Sequence, residues 1–110
     1  MTDVDKETKN KISKLQMLEQ RLQSLIMQKQ TFQTQMLESN NALGEIEDSK
    51  ETYKIIGNVM VSVDKEELKK DLTSKKEMAE LKVENLDKEE NKLREEANEL
   101  QKEVMGSLGK

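Results

Sequence analysis

The chain has 110 residues, of which 38% are charged, 33% hydrophobic and 2% aromatic, with a net charge of −4. That length allows one domain at most, and the scarcity of aromatic and branched bulk excludes an ordinary globular core. With no cysteine and no histidine, disulfides, thiolate metal sites and the commonest general base are excluded too, and the acidic balance speaks against a nucleic-acid binder.

The first residues, to about Lys6, are polar and read as a frayed lead-in. From about 7 to 50 the apolar residues follow a seven-residue repeat. One register holds Leu15, Leu22, Met36 and Leu43; its companion holds Leu18, Leu25, Phe32 and Ile46. Lys29 interrupts the first and Ser39 the second. Alternating steps of three and four over several turns predict a coiled-coil helix, and the chain has no proline to break it. At about 1.5 Å per residue such a helix is roughly 65 Å long. Ser39, Asn40, Asn41 and Gly44 have low helix propensity, and a bend or local loosening is expected there.

The stretch YKIIGNVMVSVD, Tyr53 to Asp64, breaks the pattern with β-branched residues around Gly57-Asn58. A two-residue Gly-Asn loop between apolar runs predicts a β-hairpin over 52–63. Its register sets Ile56 opposite Val59, Lys54 opposite Val61 and Thr52 opposite Val63. On the other face Ile55 lies opposite Met60 and Tyr53 opposite Ser62. Neither face is polar, and an isolated two-stranded hairpin is marginal in water. Two readings follow. The hairpin either folds onto the helix ends as a cap, or joins hairpins of other subunits edge to edge into a closed barrel.

Asp64, followed by Glu67, is a capping-box-like start for a second helix over about 65–105. Leu72, Ala79, Leu86, Leu93 and Leu100 recur every seven residues; Val83, Ala97 and Val104 fill part of the companion seam, which Lys76 and Glu90 interrupt. Gly106 and Gly109 mark the expected end. Helices of similar length joined by a compact connection should fold back as an antiparallel pair. The fold class is therefore all-α dominated, a long antiparallel two-helix coiled coil with one central β-hairpin. Both termini are then expected together at the end away from the hairpin.

Apolar residues near the termini have poor seam partners: Met1, Val4 and Ile12 on one strand, Val104, Met105 and Leu108 on the other. They are left as candidates for exposed apolar contacts, although Ile12 and Val104 would serve equally to close the last seam layer. Met17 and Met27 fall outside the seam and offer adaptable apolar contact. The glutamines from Gln16 to Gln35 read as a solvated face. Glu89-Glu90 and Glu95-Glu96 point in different directions on a helix, with no closed pocket for acid–base work. The ending GSLGK lacks the strand, spacing and helix of a phosphate loop. No enzyme activity and no cofactor are expected. With no apolar run long enough for a signal peptide or membrane span, a cytoplasmic protein is expected.

A heptad helix, then TYKIIGNVMVSVDKEEL, then a second heptad helix closely resembles the β-type subunit of prefoldin, in its archaeal form. The residues carrying the likeness are Tyr53, Lys54, Ile55, Ile56, Gly57, Val59, Val61, Val63, Asp64, Lys65 and Glu66, and the likeness covers nearly all of 1–110 as one domain. The resemblance implies a hexamer of two α-type and four β-type subunits whose hairpins, here Tyr53, Ile55, Ile56, Gly57, Val59, Met60, Val61 and Val63, build a double barrel. It also implies an ATP-independent chaperone, a holdase that grips unfolded clients at the coiled-coil tips, here through Met1, Val4, Ile12, Val104, Met105 and Leu108, and passes them to a group II chaperonin. The competing reading from the residues alone is a structural or adaptor coiled coil, its hairpin serving only to fix oligomer geometry.

Overall fold

The computed structural model describes residues 5–109. Its elements run α1 (Lys6–Glu47), β1 (Thr52–Ile56), β2 (Val59–Val63) and α2 (Lys65–Leu108). Two long helices pack together and a two-stranded antiparallel hairpin connects them, which is the fold class that the repeats imply. The chain divides into a terminal unit, Met1–Lys29 with Asn85–Lys110, and a hairpin unit, Gln30–Glu84. Met1 and Val4 lie outside the described residues.

In the terminal unit Leu15, Leu18 and Leu22 of α1 and Leu86, Leu93 and Leu100 of α2 are half-buried, whereas Leu25 is 1% exposed. Two packed helices cover one stripe of each other and leave the flanks wet, so half-burial is the ordinary state of a seam leucine here. The interruptions at Lys29 and Glu90 prove to be partners. Lys29 Nζ donates to Asp87 Oδ1 at 2.8 Å and to Glu90 Oε1 at 3.3 Å. The Lys29 and Glu90 side chains are 20% and 14% exposed. The hydrogen bond to Asp87 leads in holding the Lys29 ammonium above its ordinary pKa, against some desolvation. Its contribution is therefore present below an ordinary lysine's 10.5 and is lost as pH rises through the higher folded value.

In the hairpin unit Ile46 and Ala79 are buried, with Phe32, Met36, Leu43, Leu68, Leu72 and Val83 half-buried. The expected loosening near Ser39 and Gly44 does not interrupt α1. Ser39 instead turns inward and is 8% exposed, while Lys76 Nζ donates to Asn40 Oδ1 at 3.1 Å. Small Ser39, Ala42 and Ala79 underfill this stretch and leave an open groove of about 560 Å³ beside Phe32, Leu72 and Met78.

The helix ends differ by a few residues from the reading of the sequence. α1 stops at Glu47 rather than about 50, because the Ser49 amide turns back to the Ile46 carbonyl and its hydroxyl donates to Glu45. The last turn of α1 has no basic residue; α2 supplies one, Lys65 Nζ donating to the Glu47 carbonyl at 2.9 Å. A cation there satisfies an orphan acceptor and opposes the helix dipole. α2 starts as expected from an Asp64 cap, Oδ2 accepting the Glu67 amide at 3.2 Å. It runs through Gly106 to Leu108.

Replacing Lys29 with Leu takes a cation from the half-buried Glu90 carboxylate and leaves it the Arg94 Nε at 3.5 Å. The expected cost is about 1–2 kcal/mol, below that of a fully buried pair because this cluster touches water. Lys29→Leu combined with Glu90→Leu should recover parent stability or exceed it. Urea unfolding followed by helical circular dichroism measures both.

Candidate functional site

The hairpin holds the register Thr52↔Val63, Tyr53↔Ser62, Lys54↔Val61, Ile55↔Met60 and Ile56↔Val59. Gly57 has φ of 61°, and no non-glycine residue has positive φ among those described. A positive φ at the first central position alone is the pattern of a type II′ turn, which glycine accepts without strain and which matches strand twist. Asn58 therefore does not share the left-handed geometry that the sequence allows it.

At its root the ribbon is pinned. Thr52 is 7% exposed and its hydroxyl donates to the Val63 carbonyl at 2.8 Å. Lys69 Nζ meets Glu47 at 2.9 Å, which holds the Glu47 carboxyl below and the Lys69 ammonium above their ordinary values. Val63 is half-buried. Beyond the root, both faces are wet. Ile55 is 70% exposed, Met60 65%, Val59 61% and Ile56 59%; Tyr53 and Val61 are exposed as well. A groove of about 470 Å³ separates Tyr53 and Ile55 from Ile46, Leu68 and Leu72. The ribbon does not fold down as a cap, because a cap would bury one of its faces.

Sequence reading passed over Glu51. Its Oε2 accepts the Tyr53 hydroxyl at 2.6 Å and raises the phenol above its ordinary 10.0. Glu51 lies in the bend just before β1, where no strand alternation in the sequence points it at Tyr53.

In the terminal unit, Asp5 Oδ1 accepts the Thr8 amide at 2.7 Å, and that bond leads in lowering the Asp5 pKa. What reads as a frayed start is thus a capped one from Asp5 onward, with Thr8 3% exposed. Val104 is buried at 8% and Ile12 is half-buried. Beside them Lys11 bridges Glu103 at 3.4 Å and Glu7 at 3.6 Å. Within the next turn, Met105 and Leu108 are 65% and 55% exposed, and the Gly109 amide returns to the Met105 carbonyl. Met17 and Met27 are each 68% exposed. Among the described residues no group of His, Cys, Asp and Glu could hold a metal, and no helix is long and apolar enough to cross a membrane.

The geometry pairs with clear likenesses to known proteins. The family profile for prefoldin subunits matches residues 9–110. Prefoldin subunit beta of Archaeoglobus fulgidus is 33% identical over 98% of this chain and 96% of its own length. That of Sulfurisphaera tokodaii is 36% identical, over 94% of this chain and 86% of its own. The crystal structure of the prefoldin beta subunit from Thermococcus strain KS-1 superposes with a TM-score of 0.87, at 29% identity, covering 98% of this chain and 97% of that one.

The Tyr53–Glu51 bond gives a direct reporter, since the chain has a single tyrosine and no tryptophan. Ionising the phenol would set two anions side by side, so Glu51→Gln should bring its titration down towards 10.0. Near-ultraviolet absorbance against pH measures it; an unchanged midpoint would mean that Glu51 does not hold the phenol proton.

Proposed function

Because the chain belongs to the prefoldin subunit family, a family of chaperone subunits, we propose that it is a β-type subunit of an ATP-independent holdase. In this reading two α-type and four β-type subunits join through their hairpins in the cytoplasm. The assembly holds unfolded proteins at the coiled-coil ends and transfers them to a group II chaperonin. The observation that carries the proposal is the ribbon Tyr53–Val63, apolar and solvent-exposed on both faces beyond its root. Each aliphatic side chain left in water forgoes about 1.5–3 kcal/mol of burial. The strand edges also present unpaired backbone groups. Edge-to-edge pairing with other subunits removes both penalties.

Met105 and Leu108 are the exposed apolar residues at the end of α2 and the best-supported client contacts. Val104 and Ile12 lie deeper and reach a client only where the last turn opens; Met1 and Val4, the remaining candidates, lie outside the described residues. Two or three aliphatic contacts yield a few kcal/mol. Association costs 4–15 kcal/mol or more. One subunit alone therefore holds a client weakly. Several tethered to one hub hold it well, because later contacts form at high effective concentration. Weak, multivalent contacts also allow release without nucleotide.

Two experiments separate the parts of this reading. Replacing Tyr53–Val63 by a Gly-Ser loop should leave helical circular dichroism largely intact while sizing shifts to small species; an unchanged oligomer refutes assembly through the ribbon. Met105→Ser with Leu108→Ser should leave the assembly intact but weaken suppression of aggregation of a chemically unfolded protein, assayed together with an α-type subunit. Undiminished suppression would place client contact elsewhere. No suppression by the parent itself would favour the adaptor reading.

A further inference from the structure

Four cations of the terminal unit's α1 reach across to anions of α2. Lys11 meets Glu103 at 3.4 Å, Lys14 meets Glu96 at 3.2 Å, and Arg21 meets Glu89 at 2.8 Å. Lys29 meets Asp87 and Glu90 at 2.8 and 3.3 Å. In each the cation belongs to α1 and the anion to α2. The surrounding composition is segregated in the same sense: residues 5–29 carry six cations and three anions, residues 85–109 four cations and seven anions. In the hairpin unit the order is reversed, Lys69 and Lys65 of α2 reaching Glu47 of α1.

We infer that this polarity is a pairing code: it makes the terminal half of α1 choose the terminal half of α2 and reject the same stretch of a second copy. The leucine repeat cannot make that choice. Leu15, Leu18, Leu22 and Leu25 would mesh with another α1 as well as with α2, because an apolar seam is indifferent to which helix supplies it. Charge is not indifferent. A second α1 terminal half, running either way, brings a net cationic stretch against a net cationic stretch. The same holds with opposite sign for two copies of α2. Lys29 sharpens the discrimination, because its side chain is only 20% exposed and a parallel pair of α1 helices would set it against its own copy. Single exposed pairs stabilise little; several of one sign, flanking one seam, discriminate between partners more strongly than they add stability. The inference stands apart from the chaperone reading, since it concerns which helices pair and not what they hold.

The test uses the full chain and native-state hydrogen exchange at the amides of Leu15–Leu25 and Leu93–Val104. Two one-sided variants carry Lys11→Glu, Lys14→Glu and Arg21→Glu, or Glu89→Lys, Glu96→Lys and Glu103→Lys. Each should lose protection in these stretches by roughly tenfold or more, with a smaller loss in concentrated salt. The chain bearing all six changes restores opposite charges with inverted polarity and should regain parent protection. Parent-like protection in the one-sided chains would overturn the inference, as would failure of the sixfold variant to exceed them. The rejection of like helices is read separately. Pyrene on Asn10→Cys, in a chain otherwise free of cysteine, should show little excimer in the parent. Excimer should rise several-fold when Lys11, Lys14, Arg21 and Lys29 are changed to Gln. Equal excimer in the two chains would show that charge does not exclude α1 from α1.

Discussion

Two packed helices cover only a stripe of each other, and among the described residues no third layer covers what that stripe leaves out. The buried apolar residues among those described are few, Leu25, Ile46, Ala79 and Val104, and the leucines around them stay half in water. Every polar side chain that the repeat directs inward must then find its partner across the seam or at its edge. Lys29 finds Asp87 and Glu90, Lys76 finds Asn40, and Ser39 is small enough to turn in. The same shortage of cover leaves the ribbon between the helices exposed. Its root is fastened by Thr52, Lys65 and Glu47; past that point the described residues leave Ile55, Ile56, Val59 and Met60 exposed.

Function follows from that deficit in the proposed reading. A segment that one chain cannot satisfy becomes a joint between chains, and weak apolar ends become useful once several are held together. The two kinds of surface differ in character. The ribbon combines β-branched side chains with open backbone edges, which favours a fixed partner in a fixed register. Met105 and Leu108 are exposed and each has a glycine beside it, which suits loose contact with varied chains. No buried charge or closed pocket is required for either role.

Much of the architecture could be read from residue spacing. The heptads of Leu15 to Ile46 and Leu72 to Val104 specify two seam-forming helices. The alternation around Gly57-Asn58 specifies the hairpin and its pairing residue by residue, because strand register is fixed once a two-residue loop is placed. Asp64 announces its helix through a cap three residues from Glu67. The start at Asp5 was less legible: the stretch is polar, and the apolar pattern that marks a helix begins later, at Ile12. The end of α2 also ran past Gly106. A lone glycine lowers helix propensity without forbidding it, and the amides of the last turn still find their carbonyls.

Periodicity thus determined by itself which residues form helix, which form ribbon and which turn inward, since each of these depends on neighbours within a few positions in the chain. It marked Lys29 and Glu90 as two separate faults in two separate repeats. Only the tertiary structure decided that they answer one another, that Tyr53 and Ile55 stand clear of the helices, and that Val104 is covered while Met105 is not. Those outcomes depend on distances between segments remote in sequence, which a local repeat does not encode.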